Sequence, residues 1–296
     1  MAMKKLYPIL FPLATFVMAC HSGNEKNDST SATHSSVSNN GVNISFTDTG
    51  NGDTALLFVH GWAINKNYWQ DQVNHFKKRF RVVTVDLPGF GESGKNRTNW
   101  SVAEFGRDLD SVMQQLDLKN VVLIGHSMSG NIVLEAALNA PQRVIGIVGI
   151  DNFKNFGEVP DSNFKKAYAQ VIDSMRKNYS GVVVEYFGQR LFSKSTDPAT
   201  RKRIMNDVLH SDSTIAVDVM AQMDYDEIGK AKSYRKPIFL VNSDYTPTDT
   251  LGFKKAGVPF RLYFVNGTGH YPMIEKPEEF NRQLEAVIRK IGDSDY

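Results

Sequence analysis

The chain has 296 residues, of which 41% are hydrophobic and 11% aromatic, and its formal net charge is +2. This length and apolar content are enough to bury one large core, so we expect a single domain with an inserted segment. A nearly neutral chain has no basic surface that would attract a phosphate backbone, which excludes nucleic acid as a partner. The single cysteine, Cys20, excludes an intrachain disulfide.

The first 20 residues, MAMKKLYPILFPLATFVMAC, have the features of a secretory signal: two lysines, an apolar run too short to span a bilayer comfortably, and small Ala19 before Cys20. The end of this segment, VMAC, resembles the lipobox of bacterial lipoproteins, in which the cysteine is acylated and becomes the first residue. This resemblance implies lipidation at Cys20. The alternative is an ordinary signal peptide with an incidental cysteine.

Residues 21–41, HSGNEKNDSTSATHSSVSNNG, are rich in Ser, Asn and Thr and contain almost nothing to bury. This composition predicts a disordered tether. Attachment through more than one acyl chain is stable. We therefore expect a protein of the bacterial cell envelope, anchored in a membrane through lipid at Cys20 and facing the periplasm or the exterior.

From residue 54 onward, short apolar runs alternate with helical patterns. The runs are rich in β-branched residues, as is typical of strands buried on both faces, and they are 54–60, 81–86, 120–125, 143–150, 236–242 and 260–265. Helical segments have apolar residues at three- and four-residue spacing, and they are 67–80, 101–118, 129–140 and 276–292. This alternation predicts an α/β fold with a mostly parallel, doubly wound sheet. Residues 42–50 are predicted to add an antiparallel edge strand.

Residues 154–235 break this alternation with four helix-like blocks, many aromatic residues and no strong strand. We interpret the segment as a helical lid inserted between two strands of a core formed by 42–153 and 236–296. The insertion falls beyond the carboxyl end of a strand, where ligands bind in α/β sheets. The alternative is a helical layer with no role in the site.

The turn GHSMSG at 125–130 follows a predicted strand and precedes a predicted helix. It nearly matches G-x-S-x-G, in which a serine nucleophile lies on a strained turn and the residues two before and two after it must be small. Gly125 meets the first requirement, and Ser129 is small enough for the second. The alternative is a polar turn in which Ser127 or Ser129 caps the helix.

Two other strand ends carry matching features. VHGW at 59–62 follows an apolar strand, and its turn leaves a backbone N–H above the serine. Together with the N–H of the residue after the serine, this group would form an oxyanion hole. Trp62 and Met128 are therefore the predicted donors. His270 lies in GTGHYPMIEKPEEF, a loop between the last strand and the last helix. A serine needs such a base, and the base needs an acid to orient it.

HGW, DLPGFGESG, GHSMSG and GTGHYPMIEKPEEF, in this order and spacing, resemble the α/β-hydrolase superfamily. The similarity covers nearly everything from residue 54 to 291, and it is greatest to small lidded enzymes of the carboxylesterase and dehalogenase-like groups. The resemblance implies Ser127 as nucleophile, His270 as base, and Trp62 and Met128 as oxyanion donors. Dehalogenases and epoxide hydrolases of this fold have Asp at the nucleophile position, so Ser127 argues against both chemistries.

Two aspartates compete for the role of the acid. Asp151 follows the strand run 143–150, where some dehalogenases of this fold place their acid, and Asp244 follows the next strand, at the position that most superfamily members use. Both precede His270, so chain order does not distinguish them. We predict Asp244 as the acid, with Asp151 as the alternative and Asp249 as a third candidate.

No cofactor is predicted. PGFGESG matches the dinucleotide fingerprint G-x-G-x-x-G, but no helix follows it and no acidic residue ends a next strand about twenty residues on. The histidines show no spacing that gathers metal ligands, and H-E-x-x-H is absent, so we predict no metal.

The predicted function is that of a serine hydrolase acting on an ester-like acyl small molecule through an acyl-enzyme. Alternatives on the same fold are an aminopeptidase or a C–C bond hydrolase. A non-catalytic tethered binding module is a further alternative. The sequence does not indicate the oligomeric state.

Overall fold

The computed structural model describes residues 33–293. It contains eight strands: β1 (Thr33–Asn39), β2 (Val42–Asp48), β3 (Ala55–Val59), β4 (Arg81–Val85), β5 (Val121–His126), β6 (Val144–Ile150), β7 (Ile238–Ser243) and β8 (Phe260–Val265). The predicted signal peptide, Cys20 and the tether as far as residue 32 lie outside this range. Within it, no helix has both the length and the apolar content needed to cross a membrane.

The strands form one sheet in the order β1-β2-β4-β3-β5-β6-β7-β8. In this order, all neighbouring pairs from β4 onward are parallel, and they include β3. The strand β2 pairs antiparallel with both β1 and β4. Every residue of β3, β5 and β7 is buried, as expected for strands covered on both faces. The carboxyl ends of the parallel strands share one edge, so the turns after β3, β5, β6 and β7 meet there.

The strand β1 departs from the sequence prediction. The predicted disordered tether extends to residue 41, but residues 33–39 pair with β2 in a hairpin, so this prediction is wrong for β1, and β2 is not the edge strand. Val37 is buried and Asn39 Nδ2 donates to Asp108 Oδ1 at 2.7 Å. Because backbone hydrogen bonds and one buried valine hold the strand, its composition gives no apolar signal.

Helices cover the sheet in two layers. Outside the inserted segment they are α1 (Gln70–Phe76), α2 (Val102–Gln115), α3 (Ser129–Asn139), α10 (Leu251–Ala256), α11 (Pro272–Glu275) and α12 (Pro277–Gly292), with a 3₁₀ turn at Lys66–Trp69. The helix α2 packs on α3, and α1 packs on α12. Ser101 starts α2 as its N-cap by accepting the Glu104 N–H.

The helices of the insertion lie between β6 and β7. They are α4 (Ser162–Lys177), α5 (Tyr179–Val182), α6 (Gly188–Arg190), α7 (Pro198–His210), α8 (Ser213–Ala221) and α9 (Glu227–Tyr234), with a π-helical turn at Val183–Phe187. Four of these helices, α4, α7, α8 and α9, have an Asp side chain as their N-cap: Asp161, Asp197, Asp212 and Asp226. The α/β fold class with a helical insertion between two strands is confirmed.

Candidate active site

The strand β5 enters α3 through a tight turn at Ser127. Ser127 has a φ of +54°, in the left-handed region, where a non-glycine residue is strained unless its surroundings hold it. Its N–H donates to the Ile150 carbonyl at 2.9 Å, which fixes the turn against β6. A Cβ at Gly125 would lie 2.4 Å from the Ser129 carbonyl oxygen, so only glycine fits there. Ser127 therefore lies, partly exposed, on a strained strand-to-helix turn.

Ser129 has entirely different surroundings from Ser127. It is fully buried, and its Oγ donates to the carbonyl of His60 at the end of β3. Its side chain thus ties the start of α3 to the neighbouring strand end. Serine fits at the second small position of the turn because its hydroxyl has this acceptor.

His270 lies between the side chains of Ser127 and Asp151. Its Nε2 is 2.8 Å from Ser127 Oγ, and its Nδ1 is 2.6 Å from Asp151 Oδ2. Since a carboxylate only accepts, we assign the proton to Nδ1, which leaves Nε2 free to accept the serine proton. The loop that carries His270 is held by its N–H, which donates to the Leu191 carbonyl of the insertion at 2.8 Å. This chain of hydrogen bonds can turn a serine hydroxyl into a nucleophile.

The Asp151 carboxylate is buried and fully engaged. While Oδ2 faces His270, Oδ1 accepts the Ser243 N–H at 2.8 Å and the Ser243 hydroxyl, and it lies 2.9 Å from Lys154 Nζ. Burial alone would raise the pKa of the Asp151 carboxyl. The hydrogen bond and charge of His270, the charge of Lys154 and the Ser243 hydroxyl together lower this pKa to about 2. Asp151 is therefore ionised beside His270 at neutral pH.

Asp244, the acid favoured by the sequence, does not contact His270, so that prediction is wrong in this geometry. The register of β6 and β7 pairs Ile150 with Val241, which puts Asp151 level with Asn242 and Asp244 two residues further along. Asp244 Oδ1 instead accepts the Gly267 N–H at 2.7 Å, on the exposed side of the loop. The third candidate, Asp249, accepts the Leu251 N–H at the start of α10.

The two predicted oxyanion donors, Trp62 and Met128, line the same cavity as Ser127. Among residues 33–293, the backbone N–H of neither residue donates to a backbone carbonyl. The turn after β3 approaches closely, since a Cβ on Gly61 would lie 3.2 Å from Ser127 Cβ and 2.5 Å from His126 Nδ1. Both N–H groups are thus available beside the serine, as an oxyanion hole requires.

His126 is a site residue that sequence reasoning considered only as a metal ligand. Its Nε2 is 2.8 Å from the His270 carbonyl oxygen, and the two rings are 4.8 Å apart. Burial, together with the charge of His270, lowers the pKa of His126 to about 3. His126 is therefore neutral at pH 7 and donates to the His270 backbone. The feature of the sequence that could have identified His126 as a site residue is its position directly before Ser127, at the end of β5.

A cavity of about 330 Å³ opens above Ser127. The core side of its wall includes Trp62, Phe153 and Tyr271, and the insertion contributes Tyr168, Phe187, Leu191, Met220 and Met223. Three amide or carboxylate side chains also line it: Asn131 of α3, Asn152 after β6 and Glu227 of α9. A largely apolar pocket with a few convergent polar groups is typical of a small-molecule site.

The glycine loop PGFGESG lies next to a buried ion pair. Lys66 Nζ is 2.6 Å from Asp86 Oδ2, and a Cβ on Gly91 would lie 2.3 Å from Asp86 Cγ. These glycines let the loop pass close to the ion pair. Across the described range, no group of three or more His, Cys, Asp or Glu residues could hold a metal ion.

The chain belongs to the alpha/beta hydrolase fold family, whose pattern matches residues 54–277. Among curated proteins it is 26% identical over 251 residues to the dihydrolipoyllysine-residue acetyltransferase component of the acetoin cleaving system of Pseudomonas putida. That match covers 81% of this chain but 65% of the relative, which is less than two thirds of its length.

A second relative is matched over its whole length. The pimeloyl-[acyl-carrier protein] methyl ester esterase of Nitrosomonas europaea is 25% identical over 266 residues, covering 83% of this chain and 100% of the relative. Among solved structures, a thermophilic esterase from Thermogutta terrifontis aligns with a TM-score of 0.74 at 22% identity, over 88% of this chain and 99% of that one. This structural likeness shows the shared fold.

Proposed function

We propose that the protein is a serine hydrolase that cleaves a small ester-like acyl substrate through an acyl-enzyme. The observation that carries the proposal is the hydrogen-bonded chain from Ser127 Oγ through His270 to Asp151, with spacings of 2.8 and 2.6 Å. The relatives named as esterases favour an ester over other acyl compounds. A serine in the place of the nucleophile argues against dehalogenase chemistry.

In the proposed reaction, His270 Nε2 takes the Ser127 proton as Oγ attacks the acyl carbon. The oxygen of the tetrahedral intermediate accepts hydrogen bonds from the N–H groups of Trp62 and Met128. The imidazolium, stabilised by Asp151, then gives its proton to the departing alkoxide, which leaves an acyl-Ser127 ester. A water molecule deprotonated by His270 attacks this ester and releases the acid and free Ser127.

A substrate panel tests this proposal. We expect turnover of p-nitrophenyl esters of graded acyl length in preference to aminoacyl p-nitroanilides, together with stoichiometric labelling of Ser127 by a fluorophosphonate probe. Higher activity on the anilides would favour the aminopeptidase alternative. No labelling and no turnover would leave the non-catalytic binding module.

We also propose that Cys20 carries lipid and anchors the protein in the cell envelope of a bacterium. The apolar run before Cys20 supports this proposal. The mature protein should partition into the detergent phase, and Cys20→Ser should move it to the aqueous phase. A mature native form without an acyl group would contradict the anchor.

A further inference from the structure

Asn131 and Glu227 form a polar patch on the wall of the cavity, and no step of the proposed reaction uses them. Asn131 lies in the first turn of α3, four residues after Ser127, and Glu227 is the first residue of α9 in the insertion. Both residues line the cavity together with Ser127 and His270. The patch therefore joins the core to the insertion across the space that a substrate would fill.

The patch has more hydrogen-bond acceptors than donors. Glu227 Oε2 accepts the Gly157 N–H at 3.3 Å. Burial raises the pKa of the Glu227 carboxyl, and the Gly157 N–H and the nearby Asn131 side chain oppose this rise. In the described part of the chain, Asn131 Oδ1 is buried without a hydrogen-bond partner. Because the patch is rich in acceptors, a bound group that donates a hydrogen bond is favoured there over one that only accepts.

Neighbouring side-chain donors are already engaged elsewhere. The Tyr168 hydroxyl donates to the Met220 carbonyl at 3.0 Å, and Trp62 Nε1 donates to the Ala216 carbonyl at 2.8 Å. Neither lysine nor arginine lines the cavity. A substrate that carries a carboxylate would therefore meet the Glu227 carboxyl without a cation to balance it, whereas a hydroxyl or an amine can donate to that carboxyl.

We propose that the substrate is an ester that bears a hydroxyl or amino group, which donates to the Glu227 carboxylate on the wall of the cavity. This inference rests on the proposed esterase function and adds to it the chemical class of the substrate. Asn131 and Glu227 select the substrate, while the remaining wall accepts small apolar groups. A site built to bind a polar hydrogen discriminates strongly against an analogue that lacks it.

The test compares esters in which a hydroxyl replaces a methyl group of the same size. One pair, methyl 3-hydroxybutanoate and methyl 3-methylbutanoate, places the group on the acyl side; the other, 2-hydroxyethyl butanoate and propyl butanoate, places it on the alcohol side. We expect kcat/KM to favour the hydroxyl ester of at least one pair by about 10- to 100-fold, the range of a hydrogen bond to a charged group. Methyl 3-aminobutanoate gives the corresponding value for an amine.

Variants assign the preference to the patch. In Glu227→Leu and Asn131→Leu, the ratio of kcat/KM within the favoured pair should fall towards one. Glu227→Gln keeps an acceptor but loses the charge, so it should reduce the preference for the amino ester more than that for the hydroxyl ester. The matched control is Glu185→Gln, since Glu185 is an exposed carboxylate of the insertion outside this cavity, and its ratios should equal those of the unmodified protein.

The outcomes separate this inference from the function on which it rests. Equal hydrolysis within both pairs would overturn the inference and leave the esterase function standing. A preference that survives in Glu227→Leu, which circular dichroism would check for folding, would also overturn it. If neither these five esters nor the p-nitrophenyl esters are hydrolysed, the proposed function itself fails, and the inference with it. If only the p-nitrophenyl esters are hydrolysed, the inference alone fails.

Discussion

Ser127 and Ser129 lie two residues apart on one turn, but only Ser127 has a histidine side chain as its partner. The Ser127 hydroxyl is 2.8 Å from His270 Nε2, whereas the Ser129 hydroxyl donates to the buried His60 carbonyl. A hydroxyl committed to a buried carbonyl cannot reach a substrate. The difference between the two serines is therefore one of surroundings and can be tested by removing each hydroxyl.

We expect Ser127→Ala to lower kcat on a p-nitrophenyl ester by about 10⁶-fold, as deletion of a nucleophile does in serine hydrolases, with little change in the unfolding temperature. Ser129→Ala should retain the nucleophile and lose about 1 kcal/mol of stability through the missing hydrogen bond. Steady-state kinetics and thermal denaturation measure both effects. If Ser129→Ala were the inactive variant, Ser129 would be the nucleophile.

The two candidate acids make a second residue-level prediction. Asp151→Asn should lower kcat by about 10⁴-fold, because an amide cannot hold the imidazole in the required tautomer or stabilise the imidazolium. Asp244→Asn should stay within a few-fold of the unmodified enzyme, since an amide oxygen can still accept the Gly267 N–H. Measuring kcat of both variants on one ester compares them directly. The reverse ranking would return the role to Asp244.

The pKa of Asp151 gives a prediction about acid stability. Its value of about 2 in the folded protein lies below the value of about 3.9 in an unfolded chain, so ionised Asp151 stabilises the fold above pH 4, by about 2 kcal/mol. This contribution is lost as the pH falls through about 2. In Lys154→Met the folded pKa rises and the contribution shrinks, because one of the charges that lower it is gone.

Thermal denaturation between pH 7 and pH 2 tests this dependence. The difference in stability between the unmodified protein and Lys154→Met should be largest above pH 4. It should narrow towards pH 2, where Asp151 becomes protonated in the unmodified protein as well. Lys255→Met is the control, since Lys255 lies on the exposed side of α10, away from Asp151. A difference that is constant over the whole range would show that Lys154 acts through packing rather than through charge.

At the scale of elements, the His270 loop depends on the insertion. Its N–H donates to the Leu191 carbonyl, and a Cβ on the preceding Gly269 would lie 2.7 Å from that same oxygen and 2.9 Å from the Ser193 N. Both obstacles are backbone atoms, so the two segments would have to move apart. The loop and the insertion are thus in contact at a point where no side chain fits.

Gly269→Ala should therefore lower stability by about 1 to 3 kcal/mol, the cost of overpacking, and should lower kcat because His270 moves with the loop. Gly292→Ala is the control, since a Cβ there has nothing within 4 Å. Unfolding in urea and kcat on one ester measure both consequences. Equal behaviour of the two variants would mean that the loop tolerates the displacement without loss of geometry.

The six predicted core strands and the turn at Ser127 could be found from sequence because each leaves a local pattern of apolar periodicity or small residues. The strand β1 could not, since THSSVSN gives the same polar signal as a linker while its backbone pairs with β2. The acid was unresolved because β6 and β7 end at one edge of the sheet. Only their register shows that Asp151 is level with the site and Asp244 is beyond it.

Other residues of the site have no signal of their own in the sequence. Ser243 and Lys154 reach Asp151 from two different segments, and the Asn131–Glu227 patch combines α3 with a helix of the insertion. Such contacts depend on how the insertion packs on the core. The helical character of 154–235 was predictable, whereas its packing was not.

At the scale of the whole molecule, Trp62 connects the core to the insertion, because it lies in the turn after β3 and contacts the insertion. Its Nε1 donates to the Ala216 carbonyl in α8 at 2.8 Å, and its ring stacks on Phe187 with centroids 4.9 Å apart. The backbone of the same residue offers a proposed oxyanion donor. A change in the packing of the insertion would therefore move a group that acts on the reacting carbonyl.

We expect Trp62→Phe, which keeps a ring but loses the N–H, to increase amide hydrogen exchange in α8 and to lower kcat several-fold. Trp69→Phe is the matched control, because Trp69 Nε1 is buried without a partner in the described residues, so its loss removes no hydrogen bond. Exchange measured by mass spectrometry reports on α8 locally. Unchanged exchange in Trp62→Phe would show that the stacked ring alone holds the insertion.

This bond between Trp62 and α8 limits how the protein can be re-engineered. Segments that shape a pocket invite grafting from one homologue to another as a cassette, with the core left untouched. Here a grafted segment must place one carbonyl to accept from Trp62 Nε1 and another to accept from the His270 N–H. Without these two hydrogen bonds, the turns that carry the reacting groups would lose their support. New selectivity is therefore better sought by exchanging single side chains within the existing helices than by transplanting them whole.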